Sequence, residues 1–229
     1  MSIAVRNRVL IVVIITSLLS LSFAESAIAP QWTSIGGAVS WATIAGKNDV
    51  DGVTGATRVG WGAMVSGNWL VFGKHFLKVS IDVTKTHHDL TYSDSVRDVH
   101  GTRSISLLLV SVPILYMIPL GKPREGKPSI PLYSIGIGPF FGYVADKTVH
   151  EEGNLDNCSF NNFYVGPYLK AEINPFDFYK DFSLGFYLDI FRTFFIRTYD
   201  DHYYNANASA GDIGAIEIGV LVSMKKNGD

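Results

Sequence analysis

Four stretches of this chain alternate between apolar and small or polar residues, and that period of two dictates how the backbone can be used. From Leu77 to Thr84, Leu77, Val79, Ile81 and Val83 share one face, while Lys78, Ser80, Asp82 and Thr84 share the other. On a helix this spacing would scatter the charges around the axis; on a strand it sorts them to opposite sides of a sheet. Val59, Trp61, Ala63, Val65 and Trp69 alternate likewise with Arg58, Gly60, Gly62, Met64 and Ser66. Leu184, Phe186, Leu188 and Ile190 oppose Ser183, Gly185, Tyr187 and Asp189. Near the C-terminus Ile216, Ile218, Val220, Val222 and Met224 oppose Ala215, Glu217, Gly219 and Ser223.

Extending this reading predicts about eight strands, over 32–45, 57–71, 76–88, 102–117, 131–145, 163–173, 182–197 and 212–224. Each is about ten residues or longer, beyond the ~5–6 usual in globular sheets and suited to a tilted strand that crosses a bilayer. The segments between them differ in character. Those at 46–56, 89–101, 146–162 and 198–211 are long, polar and acidic, whereas 72–75 and 174–181 are short and 118–130 is rich in Gly and Pro. Long loops at one end and short turns at the other define an up-and-down antiparallel transmembrane β-barrel, so the expected class is all-β. Ser104 to Leu120 has the hydropathy of a membrane helix, but it holds Pro113 and Pro119 and is short of a helical span. A strand with a partly apolar inner face is the simpler reading.

Period two alone does not say which face points inward; composition does. Charged residues make up only 17% of the chain, against about 25% in ordinary soluble domains. The faces opposite the apolar ones carry glycines such as Gly60, Gly136, Gly142, Gly166 and Gly219 with isolated charges, as a narrow lumen would. A water-facing surface would carry many more charges. Trp61 and Trp69 share a face eight residues apart, about 20 Å along a tilted strand, close to the spacing of two aromatic girdles around a ~25 Å apolar band. Tyr116, Tyr133, Tyr143, Phe195 and Tyr199 sit near strand ends and are the other expected interface aromatics. Trp32 and Trp41, nine residues apart, fall on opposite faces.

The N-terminus reads as an export signal. Arg6 and Arg8 precede the apolar run Val9 to Leu21, and Ser22 and Ala24 supply small residues for cleavage before Glu25. Residues 1–24 are thus expected to be a signal peptide and residues 25–229 the barrel domain. The single Cys158 permits neither an intramolecular disulfide nor a Cys-x-x-Cys zinc motif. A net charge of −2 argues against a nucleic-acid partner.

The runs Gly136-Ile137-Gly138-Pro139-Phe140-Phe141-Gly142-Tyr143 and Gly166-Pro167-Tyr168-Leu169 look like the Gly-x-Gly-Pro-aromatic strands of small bacterial outer-membrane barrels. The chain resembles those families, of the OmpA-transmembrane, OmpX and OmpW type, over nearly all of its mature length. The resemblance implies insertion into the bacterial outer membrane among its lipids by the barrel-assembly machinery, and surface-exposed loops. One departure stands out: such barrels usually end on an aromatic residue, and here the last strand ends at Met224 before a Lys-rich tail.

Lys78, Asp82, Arg103, Lys170, Glu172, Asp189 and Glu217 fall on the predicted lumen faces. Buried ions must pair, so these seven are expected to form a charge network that plugs the barrel; the alternative is a polar constriction that passes small solutes. His87, His88, His100, His150 and His202 lie in or beside the acidic loops, yet their spacing matches no compact metal motif. Three roles follow: a structural or interaction barrel with a host or small-molecule ligand at its loops, an OmpW-like conduit for small or hydrophobic molecules, or a lipid-modifying enzyme. The last requires a nucleophile and base such as Ser93 or Ser95 with His87 or His88, and no third orienting group is identifiable. No phosphate loop or dinucleotide fingerprint is present, so no cofactor and no enzymatic activity are expected.

Overall fold

A computed structural model of the chain describes residues 29–45, 53–94, 99–121, 130–153, 159–160, 162–179, 181–194, 197–198 and 212–225. The export signal lies outside them. Eight strands make the fold: β1 (Trp32–Ala45), β2 (Val53–Phe72), β3 (His75–Asp94), β4 (Val99–Leu120), β5 (Tyr133–Gly153), β6 (Phe163–Tyr179), β7 (Phe182–Arg192) and β8 (Asp212–Lys225). Each pairs antiparallel with its chain neighbours, and β1 closes on β8 from Trp32↔Lys225 to Ala45↔Asp212. The sheet is a closed up-and-down barrel with no free edge around its waist, as the alternation predicts. Met224 and Lys225, in place of a terminal aromatic, sit in register with Thr33 and Trp32.

Turns of one end are tight. Gly73 has a φ of 57°, a left-handed conformation that a residue with a Cβ adopts only under strain, and it lets Phe72 and His75 pair across a two-residue hairpin. Glycine is needed for a different reason at Gly166, where a Cβ would strike the carbonyl oxygen of Arg192 on β7.

The strand ends depart from the expected spans. β2 to β5 run through residues assigned above to loops, including 53–56, 89–94, 99–101 and 146–153. Beyond the bilayer the outer face leaves lipid for water, so the alternation fades while the backbone ladder continues. β7, expected to reach 197, leaves the ladder after Arg192. There the Thr193 hydroxyl accepts a hydrogen bond from the Ile213 amide at 2.7 Å, and Phe194 forms an isolated bridge to Val165. Residues 159–160 and 197–198, placed in a loop and at the loop boundary, pair as a two-residue ribbon.

The hydrophobic core lies in the lumen, most of it above the middle on the side of the long loops and the rest at the turn end. The segment 104–120 is strand, and Ile105, Leu107, Leu109, Leu115 and Met117 all point inward from it. All five belong to one cluster, which gathers Phe140, Tyr164, Phe191 and Ile213 above and reaches Trp32 and Phe76 at the turn end. Phe140 meets Tyr164, Tyr168 and Phe191 edge-on at centroid separations of 5.6–5.8 Å. Trp32 closes the opposite end of the lumen against Phe76, while Trp41 faces outward.

Candidate functional site

Beneath the upper part of that cluster the lumen is charged. Lys78 and Asp82 stand on β3, Lys170 and Glu172 on β6, Asp189 on β7 and Glu217 on β8, all on inward positions and all buried. Lys78 Nζ lies 2.5 Å from Glu172 Oε1, and Lys170 Nζ lies 2.8 and 2.6 Å from the two oxygens of Asp189. The first pair joins β3 to β6, strands separated by two others, so it crosses the lumen from wall to wall. The second joins residues in direct register on β6 and β7.

Neutral groups complete the layer. Tyr168 Oη lies 2.9 Å from Asp82 Oδ2 and 2.8 Å from Asp189 Oδ2. The Thr84 hydroxyl donates to Glu217 Oε1 at 2.8 Å, again across the lumen. Lys170 also donates to the Met64 thioether at 3.4 Å and stands 4.3 Å from the Tyr187 ring centroid. That ring rests on Gly36 and Gly219, where a Cβ would meet it at 3.0 and 2.5 Å. Gly62 likewise leaves room for the Glu217 carboxylate.

Arg103 stands apart from these six. It is buried nearer the loop end and pairs with Glu151 at 2.7 Å, its register partner on β5. Glu151 escaped the sequence reading because it lay in a presumed loop. Tyr168, Tyr187, Thr84 and Met64 were legible as inward positions but carry no charge, so a search for ions passes over them.

The histidines are not brought together. His88 faces the lumen and is buried, His87 faces outward from the same strand, and His100 and His150 are exposed. His150 sits 3.5 Å from Glu152, and His202 is outside the described residues. Among the described residues no three His, Cys, Asp or Glu side chains are grouped to hold a metal. Ser93 is exposed and six residues from His87, about 20 Å along the strand, far beyond hydrogen-bond reach. Ser95 is not among the described residues.

The outer face settles what surrounds the barrel. Ile35, Val39, Ile114, Ile137, Ile218 and Val220 all point outward and are exposed. On β5, Tyr133 and Tyr143 are exposed at the two ends of the run Ile135, Ile137, Pro139 and Phe141. Ten residues at ~3.4 Å each, tilted by ~40°, separate those tyrosines by about 26 Å along the barrel axis, the height of the apolar band in such proteins. It is a membrane barrel. Charges are inside and hydrocarbon outside, the arrangement found in outer membranes.

Trp61 and Tyr143 face outward nearer the loop end, where Tyr143 packs on Phe163 with centroids 5.2 Å apart. Tyr116 and Tyr133 face outward nearer the turn end, and Tyr116 hydrogen-bonds His75. Trp69 faces outward but is half-buried, its ring folded over Gly67. Phe195 and Tyr199 are outside the described residues.

No protein-family model and no curated protein matches the sequence. Among solved structures, the chain is similar in shape to the outer membrane protein OprG from Pseudomonas aeruginosa, at 10% identity and a TM-score of 0.49, covering 86% of this chain and 97% of that one. Neisserial surface protein A is similar at 9% identity and a TM-score of 0.43, over 85% and 96% of the two chains. Ail, the attachment invasion locus protein of Yersinia pestis, solved with the heparin analogue sucrose octasulfate, is similar at 9% and 0.41, over 85% and 99%. Strand pairing and surface chemistry, not these likenesses, define the barrel.

Proposed function

We propose that the protein is a sealed outer-membrane barrel, exported by residues 1–24, that acts through the acidic loops it presents at the surface. In this reading Lys78, Asp82, Arg103, Lys170, Glu172, Asp189 and Glu217 are plug residues. The observation that carries it is the reach of the lumen side chains: β3 bonds directly to β6 and to β8 across the interior. An eight-stranded barrel is only wide enough for side chains to fill, and ions locked in pairs leave no hydrated path. Lipid is the partner of the apolar belt, the assembly machinery that of the folding chain, and a host surface or small molecule that of the loops. Purified protein in planar bilayers should give no steady conductance; a large ohmic current would overturn the proposal.

One observation favours a second reading. The lumen above the charged layer is filled by the apolar side chains of Leu107, Leu109, Phe140 and Phe191, a surrounding that favours a small apolar solute over an ion. Uptake of an apolar dye by barrel-containing liposomes, faster than by empty ones, would favour this conduit.

A further inference from the structure

The contacts around Tyr168 require one more hydrogen than the phenol owns. Its oxygen lies within hydrogen-bond distance of two carboxylates, 2.9 Å from Asp82 Oδ2 and 2.8 Å from Asp189 Oδ2. A phenol has a single O–H and can donate to one of them; the other contact is a hydrogen bond only if the carboxyl supplies the proton. Asp189 is held through both oxygens by Lys170, which favours its ionised form. Asp82 has no cation in hydrogen-bond reach among the described residues; the Ser80 hydroxyl on its own strand stands beside it, yet its Oδ1 is buried there without a hydrogen-bond partner. A bare buried carboxylate oxygen is costly, whereas the carbonyl of a neutral acid left in the same place costs far less.

We propose that the lumen is a proton-binding site: Asp82 holds a proton at neutral pH and donates it to Tyr168, which in turn donates to Asp189. The result is a directed chain, Asp82 to Tyr168 to the Asp189–Lys170 pair. The groups facing it are Lys78 on β3, Tyr164, Lys170 and Glu172 on β6, Tyr187 and Asp189 on β7, and Glu217 on β8. Met64 on β2 and Ser111 on β4, opposite Asp82 in register, bring no charge.

The sign of the pH dependence follows. An unfolded aspartate is ionised above about pH 5, while the folded barrel keeps the Asp82 proton. Folding therefore takes up a proton, and stability falls as pH rises.

The test uses the full barrel refolded in lipid, with urea unfolding followed from about pH 6 to about pH 9 and infrared spectra recorded at neutral pH. The expected result is an unfolding equilibrium constant that rises up to tenfold per pH unit for the one proton. A protonated-carboxyl carbonyl band should be present in the wild type. In Asp82→Asn, which keeps a neutral donor, the pH dependence should fall by the equivalent of one proton and the band should weaken by one carboxyl, Glu217 being a second buried carboxyl without a bonded cation, while the barrel still folds. Three results would overturn the proposal: an Asp82→Asn variant that cannot fold, one that keeps the wild-type pH dependence, or a wild type whose aspartate carbonyl band is absent.

Discussion

Replacing Lys170 by methionine removes one charge and keeps most of the side-chain volume. Lys170 is 0% exposed, its partner Asp189 is 1% exposed, and both oxygens of that carboxylate lie within 2.8 Å of the ammonium. Lys78, the other cation of the layer, is held by Glu172. Taking away one member of a buried ion pair costs about 3–5 kcal/mol, because the other charge is left in a low-dielectric interior. At about 1.4 kcal/mol per tenfold, Lys170→Met should raise the unfolding equilibrium constant roughly 10²- to 10⁴-fold, read by urea titration in lipid. Adding Asp189→Asn to the same chain removes the stranded charge and should recover most of the loss, since an apolar or neutral replacement of a whole pair is often tolerated. Equal stability of the single and double variants would refute the claim that these residues act as a desolvated pair.

Substitutions at four further positions probe other parts of the fold. Ile137, 63% exposed on the outer face between Tyr133 and Tyr143, should tolerate leucine but lose about 2–4 kcal/mol as lysine, measured by unfolding in bilayers. Leu107→Ala should cost about 2–5 kcal/mol by opening a cavity in the apolar lumen, seen in the same assay. Gly166→Ala should abolish the heat-modifiable folded band on gels, because its Cβ meets the Arg192 carbonyl, whereas Gly37→Ala, whose nearest neighbour would be 3.9 Å away, should fold normally.

The waist of this barrel is legible in the sequence because lipid outside and a crowded lumen inside impose opposite demands on successive residues. Lys78, Asp82, Lys170, Glu172, Asp189 and Glu217 stand out there as the few charges on an otherwise small and apolar face. Which ion meets which is another matter. Lys78 reaches Glu172 across the lumen, a contact set by barrel diameter and strand stagger, and neither is written in local pattern. Above the waist the signal weakens, since the outer face of β2 to β5 leaves lipid for water and polar residues such as Asp146 to Glu152 are compatible with strand or loop. By pattern alone Arg103 therefore groups with the central network, whereas β5 carries Glu151 up beside it.

The central claim, an inside-out barrel with lipid on its apolar face, is tested most directly by single cysteines along β8 in a Cys158→Ser background. Each would be offered a fluorophore in vesicles containing lipid-borne quenchers. Labels at 216, 218, 220 and 222 should be strongly quenched, and cysteines at the inward positions 215 and 221 should resist labelling in the folded barrel, in a repeat of two. Labelling and quenching of the second set alone, or of both sets equally, would contradict the account.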